Sequence, residues 1–147
     1  MLSSATGLLL LAVLGIGSCA LLTRGVGDKE LAPVADVYFA KADDGDFHGA
    51  YADFGPLMHN ATSEADYVSF DKGIHARLGR LESKTVTGTQ AGFGGKGAWG
   101  VMFYKGHFEH GEGTIRLNFQ KDAGVWKIAG IHYDSPVLLD AIRSPEK

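Results

Sequence analysis

Apolar residues recur at two different periods along the chain, and the change of period divides it. Pro33 suits the first turn of a helix, where its missing N–H has no partner to lose. After it, Val34, Val37, Tyr38 and Ala42 follow at helical spacing with Phe39 beside them, up to Asp43-Asp44-Gly45-Asp46. Phe47, Ala50, Tyr51 and Phe54 repeat at i, i+3, i+4 and i+7 and stop at Gly55-Pro56, predicting a second, short helix. Ser63-Glu64-Ala65-Asp66 is a capping box that opens a third. Tyr67, Phe70, Ile74 and Leu78 mark one face of that helix, and Gly79 supplies its stop.

Beyond Gly79 the period is two. Leu81–Ala91, with Thr85, Val86, Thr87 and Thr89, reads as a strand, and Ala98–Phe103 alternates around Trp99, Val101 and Phe103. Thr114–Lys121 sets Ile115, Leu117 and Phe119 on one face and Thr114, Arg116, Asn118 and Gln120 on the other. Val125–Tyr133 is the last strand. Phe93-Gly94-Gly95-Lys96-Gly97 and Lys121-Asp122-Ala123-Gly124 are turns, and Pro136–Arg143 predicts a closing helical turn. The expected fold class is α+β over residues 33–143, with three N-terminal helices packed on a curved four-stranded antiparallel sheet.

Before this domain the character differs. No charged side chain occurs from Met1 to Thr23, and Leu8–Gly17 is an apolar block of secretory length. It ends in Ile16-Gly17-Ser18-Cys19, which resembles a bacterial lipobox, with Cys19 as the lipid acceptor. Residues 1–19 then form a lipoprotein-type signal or anchor, and residues 20–32 a tether containing Gly25 and Gly27. Two alternatives stand beside this. Ser18-Cys19-Ala20 fits ordinary signal cleavage, and the block extended to Thr23 reaches the lower limit for a spanning helix. Arg24 and Lys29 after an uncleaved block would hold the domain in the cytosol. Lipidation would instead place it in the cell envelope, facing the periplasm, and Ala20 after the cysteine resembles the outer-membrane sorting pattern.

Composition narrows function by exclusion. The 147 residues carry a net charge of −3, and no basic patch is interleaved with aromatics, so nucleic acid is not an expected partner. Cys19 is the single cysteine, which removes any intramolecular disulfide. Glycine, at 21 residues, is about twice its ~7% base rate. With only 4 prolines these glycines suit turns and close packing. Gly94-Gly95-Lys96-Gly97 lacks the spacing of a phosphate loop.

Asp44-Gly45-Asp46-Phe47-His48-Gly49-Ala50-Tyr51, Leu78-Gly79-Arg80-Leu81 and Gly124-Val125-Trp126-Lys127-Ile128-Ala129-Gly130, in that order, resemble the nuclear transport factor two-like superfamily with its cystatin-like cone fold. The resemblance covers about Pro33–Pro136 and looks closest to small exported members. It implies helices over a concave sheet, and a superfamily that holds dehydratases, isomerases and binding modules alike. A second resemblance is confined to Gly106–Trp126, with Gly111-x-Gly113 and Gly124-x-Trp126. This stretch is similar to the membrane-anchored domain of cytochrome oxidase assembly factors and their translocase relatives.

Candidate chemistry follows from these readings. The superfamily's enzymes carry Asp, His or Tyr on the concave face, so Tyr38, Tyr51, Asp53, Tyr104 and His132 are candidates, with Asp134 as a carboxylate beside His132. Tyr38, Tyr51, Trp99 and Tyr104 are the candidate ligand-pocket residues; Tyr38, Tyr51, Trp99 and Trp126 also read as core aromatics with hydrogen-bonded tips. His107 and His110, with Glu109 and Glu112, have no fixed third ligand, so no metal and no cofactor is expected. The expected function is a membrane-attached, non-catalytic module binding a small ligand or a protein, with a homodimer through the sheet as a further option. The alternatives are an assembly factor for a respiratory or translocation complex, and an isomerase or dehydratase using His132 with a nearby Tyr or Asp.

Overall fold

The computed structural model describes the backbone of residues 18–143 and the side chains of residues 27–140. The apolar block and the lipobox residues Ile16 and Gly17 lie outside the described residues, and Cys19 falls in the first turn of the first helix. Among the described residues no helix is long and apolar enough to cross a membrane.

Helix α1 (Ser18–Asp43) starts before Pro33, so residues expected as a tether are helical. Tertiary contact explains this. Leu31, Ala35, Tyr38, Phe39 and Ala42 form a buried stripe along α1, and Gly27 lets the helix lie against Thr89 and Ala91. Burying Leu31 completely contributes about 1.5–3 kcal/mol, comparable with the roughly 3 kcal/mol that an interior proline costs. The stripe is shifted from the one expected, because Val37 is 49% exposed.

Helix α2 (Phe47–Ala52) is capped by Asp46, whose carboxylate accepts from the Gly49 N–H at 2.9 Å. Helix α3 (Pro56–Ala61) departs from the expectation. Gly55 and Pro56 start it as N-cap and first residue, so the pair that reads as a stop is also a start. The Gly55 N–H donates to the Ile128 carbonyl at 3.0 Å, tying this corner to the sheet. Helix α4 (Glu64–Leu78) opens as expected, with the Ser63 hydroxyl accepting from the Asp66 N–H at 3.1 Å, and ends at Gly79 with φ 76°.

Strands β1 (Leu81–Gly94), β2 (Gly97–Phe108), β3 (Gly111–Asp122) and β4 (Val125–Asp134) form an antiparallel meander in chain order. Helix α5 (Pro136–Arg143) closes the described chain. The domain is therefore α+β, with four described helices rather than three ahead of the sheet. Ile115, Leu117 and Phe119 face the core as their alternation requires, joined by Met102, Tyr104, Phe108 and Ile128.

On β2, Trp99 takes the face opposite to the one expected of a core aromatic. Gly100, Met102 and Tyr104 point inward, while Trp99, Val101 and Phe103 lie on the outer face. A Cβ on Gly100 would stand 2.5 Å from Leu31 Cδ1, so the absent side chain is the space that α1 occupies. Outside, the Trp99 ring covers Gly92 and Phe103 covers Gly88 on the neighbouring strand, an arrangement that shields glycines in an edge strand.

Candidate functional site

A groove of about 310 Å³ runs between α1, α2 and the start of β4. Val34, Val37 and Tyr38 line it from successive turns of α1, Phe54 from the bend after α2, and Trp126 from β4, with Asp53 and Lys127 as its charged members. Val37 is exposed because it faces this groove. Helix α1 holds both walls. The Trp126 indole N–H donates to the Glu30 carboxylate, and Asp53 is paired with the Lys41 ammonium. A wall of apolar side chains with few polar groups is the usual make-up of a small-molecule site.

Tyr38 connects the groove to a buried polar cluster. Its hydroxyl lies 2.7 Å from the Tyr133 hydroxyl and donates to the Asp71 carboxylate at 3.3 Å. Tyr67, one helical turn before Asp71, donates to the same carboxylate at 2.7 Å. Asp71 is fully buried, and His75 Nε2 lies 3.8 Å away without a hydrogen-bond partner. Burial pushes the Asp71 carboxyl above the ordinary carboxylate range, against the opposing pull of the Tyr67 hydroxyl, His75 and Tyr38. Burial likewise raises Tyr38, Tyr67 and Tyr133 far above the usual phenol value, with the Asp71 charge adding to it. All three phenols therefore stay protonated at neutral pH and serve Asp71 as donors, directly or through one another.

Of the residues singled out from sequence, Tyr38 lines the groove, and Asp53 joins it there. Tyr51 is half-buried beside it, its hydroxyl donating to the Thr62 carbonyl at 2.8 Å and its ring stacked on Tyr67. Tyr104 is buried, donates to Met102 Sδ at 3.2 Å and meets Phe39 edge-on. Trp99 is on the outer sheet face. His132 and Asp134 are exposed, with His132 opposite Arg116 on that outer face. The sheet thus separates His132 from Tyr104, so the expected acid–base pairing of His132 with a nearby tyrosine is not assembled. Period-two geometry is the reason, since Tyr133 beside His132 takes the inward position.

His107 and His110 also part company. His107 Nδ1 meets Glu112 at 2.9 Å, and His110 Nδ1 meets the Arg77 carbonyl at 2.9 Å. Among the described residues no three metal-ligating side chains converge. Sequence reasoning missed Asp71, Tyr67 and Tyr133 as members of a site. The available signal was an aspartate standing between Tyr67 and Ile74 on the apolar face of α4.

A family profile described as "Protein of unknown function (DUF4019)" matches residues 34–131. The fold is similar to that of Aln2 from a Streptomyces species, solved at 1.8 Å. The two share a TM-score of 0.52 and 12% identity, over 86% of this chain and 98% of that one. No curated protein matches the chain significantly.

Proposed function

This chain belongs to the DUF4019 family, and we propose that it is a membrane-attached, non-catalytic binding module of the bacterial cell envelope. Its groove between α1, α2 and β4 would hold an apolar ligand. The observation that carries this reading is the groove itself: Val34, Val37, Phe54 and Trp126 offer an apolar bed, and Lys127 offers one cation to a polar end group. The likeness to Aln2 and the order of elements support a cone fold of the nuclear transport factor two-like kind. The charge-free Met1–Thr23 and the position of Cys19 support attachment through the N-terminus.

A short fatty acid such as decanoate is a suitable probe. Native mass spectrometry of the full chain released from lipid nanodiscs should show one bound decanoate, and Val37→Arg should abolish it. Equal retention by both proteins would overturn the groove as the site. A second reading, an assembly factor docking through its sheet, is favoured by the outward Trp99, Val101 and Phe103. It predicts crosslinks from that face to a respiratory or translocation subunit in native membranes.

A further inference from the structure

In the meander, the β1–β2 and β3–β4 turns lie at one end of the sheet and the β2–β3 turn at the other. Helix α1 runs against β1: Asp43 pairs with Arg80, Asp36 with Lys84, and Gly27 lies beside Ala91. Followed backwards, α1 therefore leaves the domain at the end that carries the two turns. From Gly27 to Cys19 the helix rises roughly 12 Å at 1.5 Å per residue. From Ala91 to Gly95 the strand extends roughly 13 Å. The start of α1, where the charge-free N-terminal sequence joins it, is thus about level with the hairpin tips.

Those tips are unusually apolar for turns. Phe93 is 84% exposed and Val125 54% exposed. At the same end of the sheet a notch of about 170 Å³ is lined by Lys96, Lys121 and Lys127 with one carboxylate, Asp122. Glu30 on α1 is engaged by Trp126 and Lys121, while Asp28, two residues nearer the start of the helix, is exposed. An exposed aromatic ring and a set of lysines at the same end of a domain is the combination that settles at a lipid headgroup boundary.

We propose that this end of the domain rests on the membrane surface, with Phe93 inserted at the headgroup level and Lys96 and Lys121 of the notch on anionic headgroups. The groove between α1, α2 and β4 is then held at a fixed orientation to the bilayer. This inference rests on the membrane attachment proposed above, and the two are separable in one experiment. The full chain, with Trp99 and Trp126 replaced by Phe, receives a single tryptophan as Phe93→Trp or, at the opposite end, as Leu139→Trp. Each is reconstituted in phosphatidylcholine–phosphatidylglycerol vesicles carrying acyl-brominated lipid. Co-flotation reads attachment, and bromine quenching reads which end touches the bilayer. The expected result is at least twofold stronger quenching and a blue-shifted emission for Phe93→Trp. Flotation with equal quenching at both positions, or with stronger quenching of Leu139→Trp, overturns the orientation while leaving attachment intact. Failure to float overturns attachment and the inference with it.

Discussion

Replacing Asp71 tests how the core around the groove is held. In Asp71→Ala the Tyr67 hydroxyl loses its 2.7 Å acceptor, while Tyr38 keeps the Tyr133 hydroxyl at 2.7 Å. One orphaned buried donor costs about 1–3 kcal/mol. The relief of no longer burying a carboxylate works in the other direction, so the net loss should be near the middle of that range. Asp71→Asn should cost less, under about 1 kcal/mol. It keeps an acceptor for Tyr67, and its amide can donate to the unpartnered His75 Nε2.

The pH dependence gives the sharper test. Because burial raises the Asp71 pKa in the folded state, the native protein holds its proton more tightly than the unfolded chain does. This contribution is fully present below the unfolded value of about 3.9 and is lost as pH rises through the raised folded value. Asp43 acts oppositely. Its hydrogen bond from Arg80 lowers its pKa, so its contribution is present above the unfolded value and lost as pH falls. Urea unfolding at pH 4.5 and 7.5 should therefore show Asp71→Asn gaining, relative to the parent, as pH rises. Midpoints are comparable only if the denaturant slope is unchanged. An Asp71→Ala protein as stable as the parent, or an Asp71→Asn protein with the parent's pH dependence, would refute the reasoning.

Three further outcomes follow from single residues. Gly100→Ala places a methyl group against Leu31 and should cost about 1–3 kcal/mol by overpacking, with a less than additive effect when combined with Leu31→Ala in a double-mutant cycle. Ala123 has φ 47° ahead of Gly124 at φ 81°, the pattern of a two-residue hairpin turn that favours Asn-Gly. Ala123→Asn should therefore raise the thermal midpoint, with a gain of up to about 1 kcal/mol, since Asn tolerates the left-handed backbone that costs Ala about 1–2 kcal/mol. The intact mass of membrane-extracted protein should show loss of residues 1–18 and an added diacylglycerol-type group, both absent from Cys19→Ala; an unprocessed parent mass would establish a signal anchor instead.

Local rules were legible where one residue decides the outcome. Ser63 caps α4, Gly79 ends it, and Ile115, Leu117 and Phe119 fix the inward face of β3. Tertiary packing decided the rest. Pro33 reads as a helix start until Leu31 and Gly27 are seen packed on the sheet. Trp99 reads as core until Gly100 and Gly106 are seen making room on the other face of β2. Asp71 reads as a solvated helix charge because nothing local reports that Tyr38 and Tyr133, 95 residues apart in sequence, converge beside it. Of the candidate site, Tyr38 and Asp53 were readable from their elements, whereas the groove exists only through the docking of β4 against α1.

The groove's role as a ligand site is tested most directly by hydrogen exchange of the full chain in lipid nanodiscs, with and without decanoate. Exchange should slow only in residues 33–38, 50–54 and 126–128, with no such slowing in Val37→Arg. Slowing that spares these segments, or that persists unchanged in Val37→Arg, would contradict an apolar ligand seated between α1, α2 and β4.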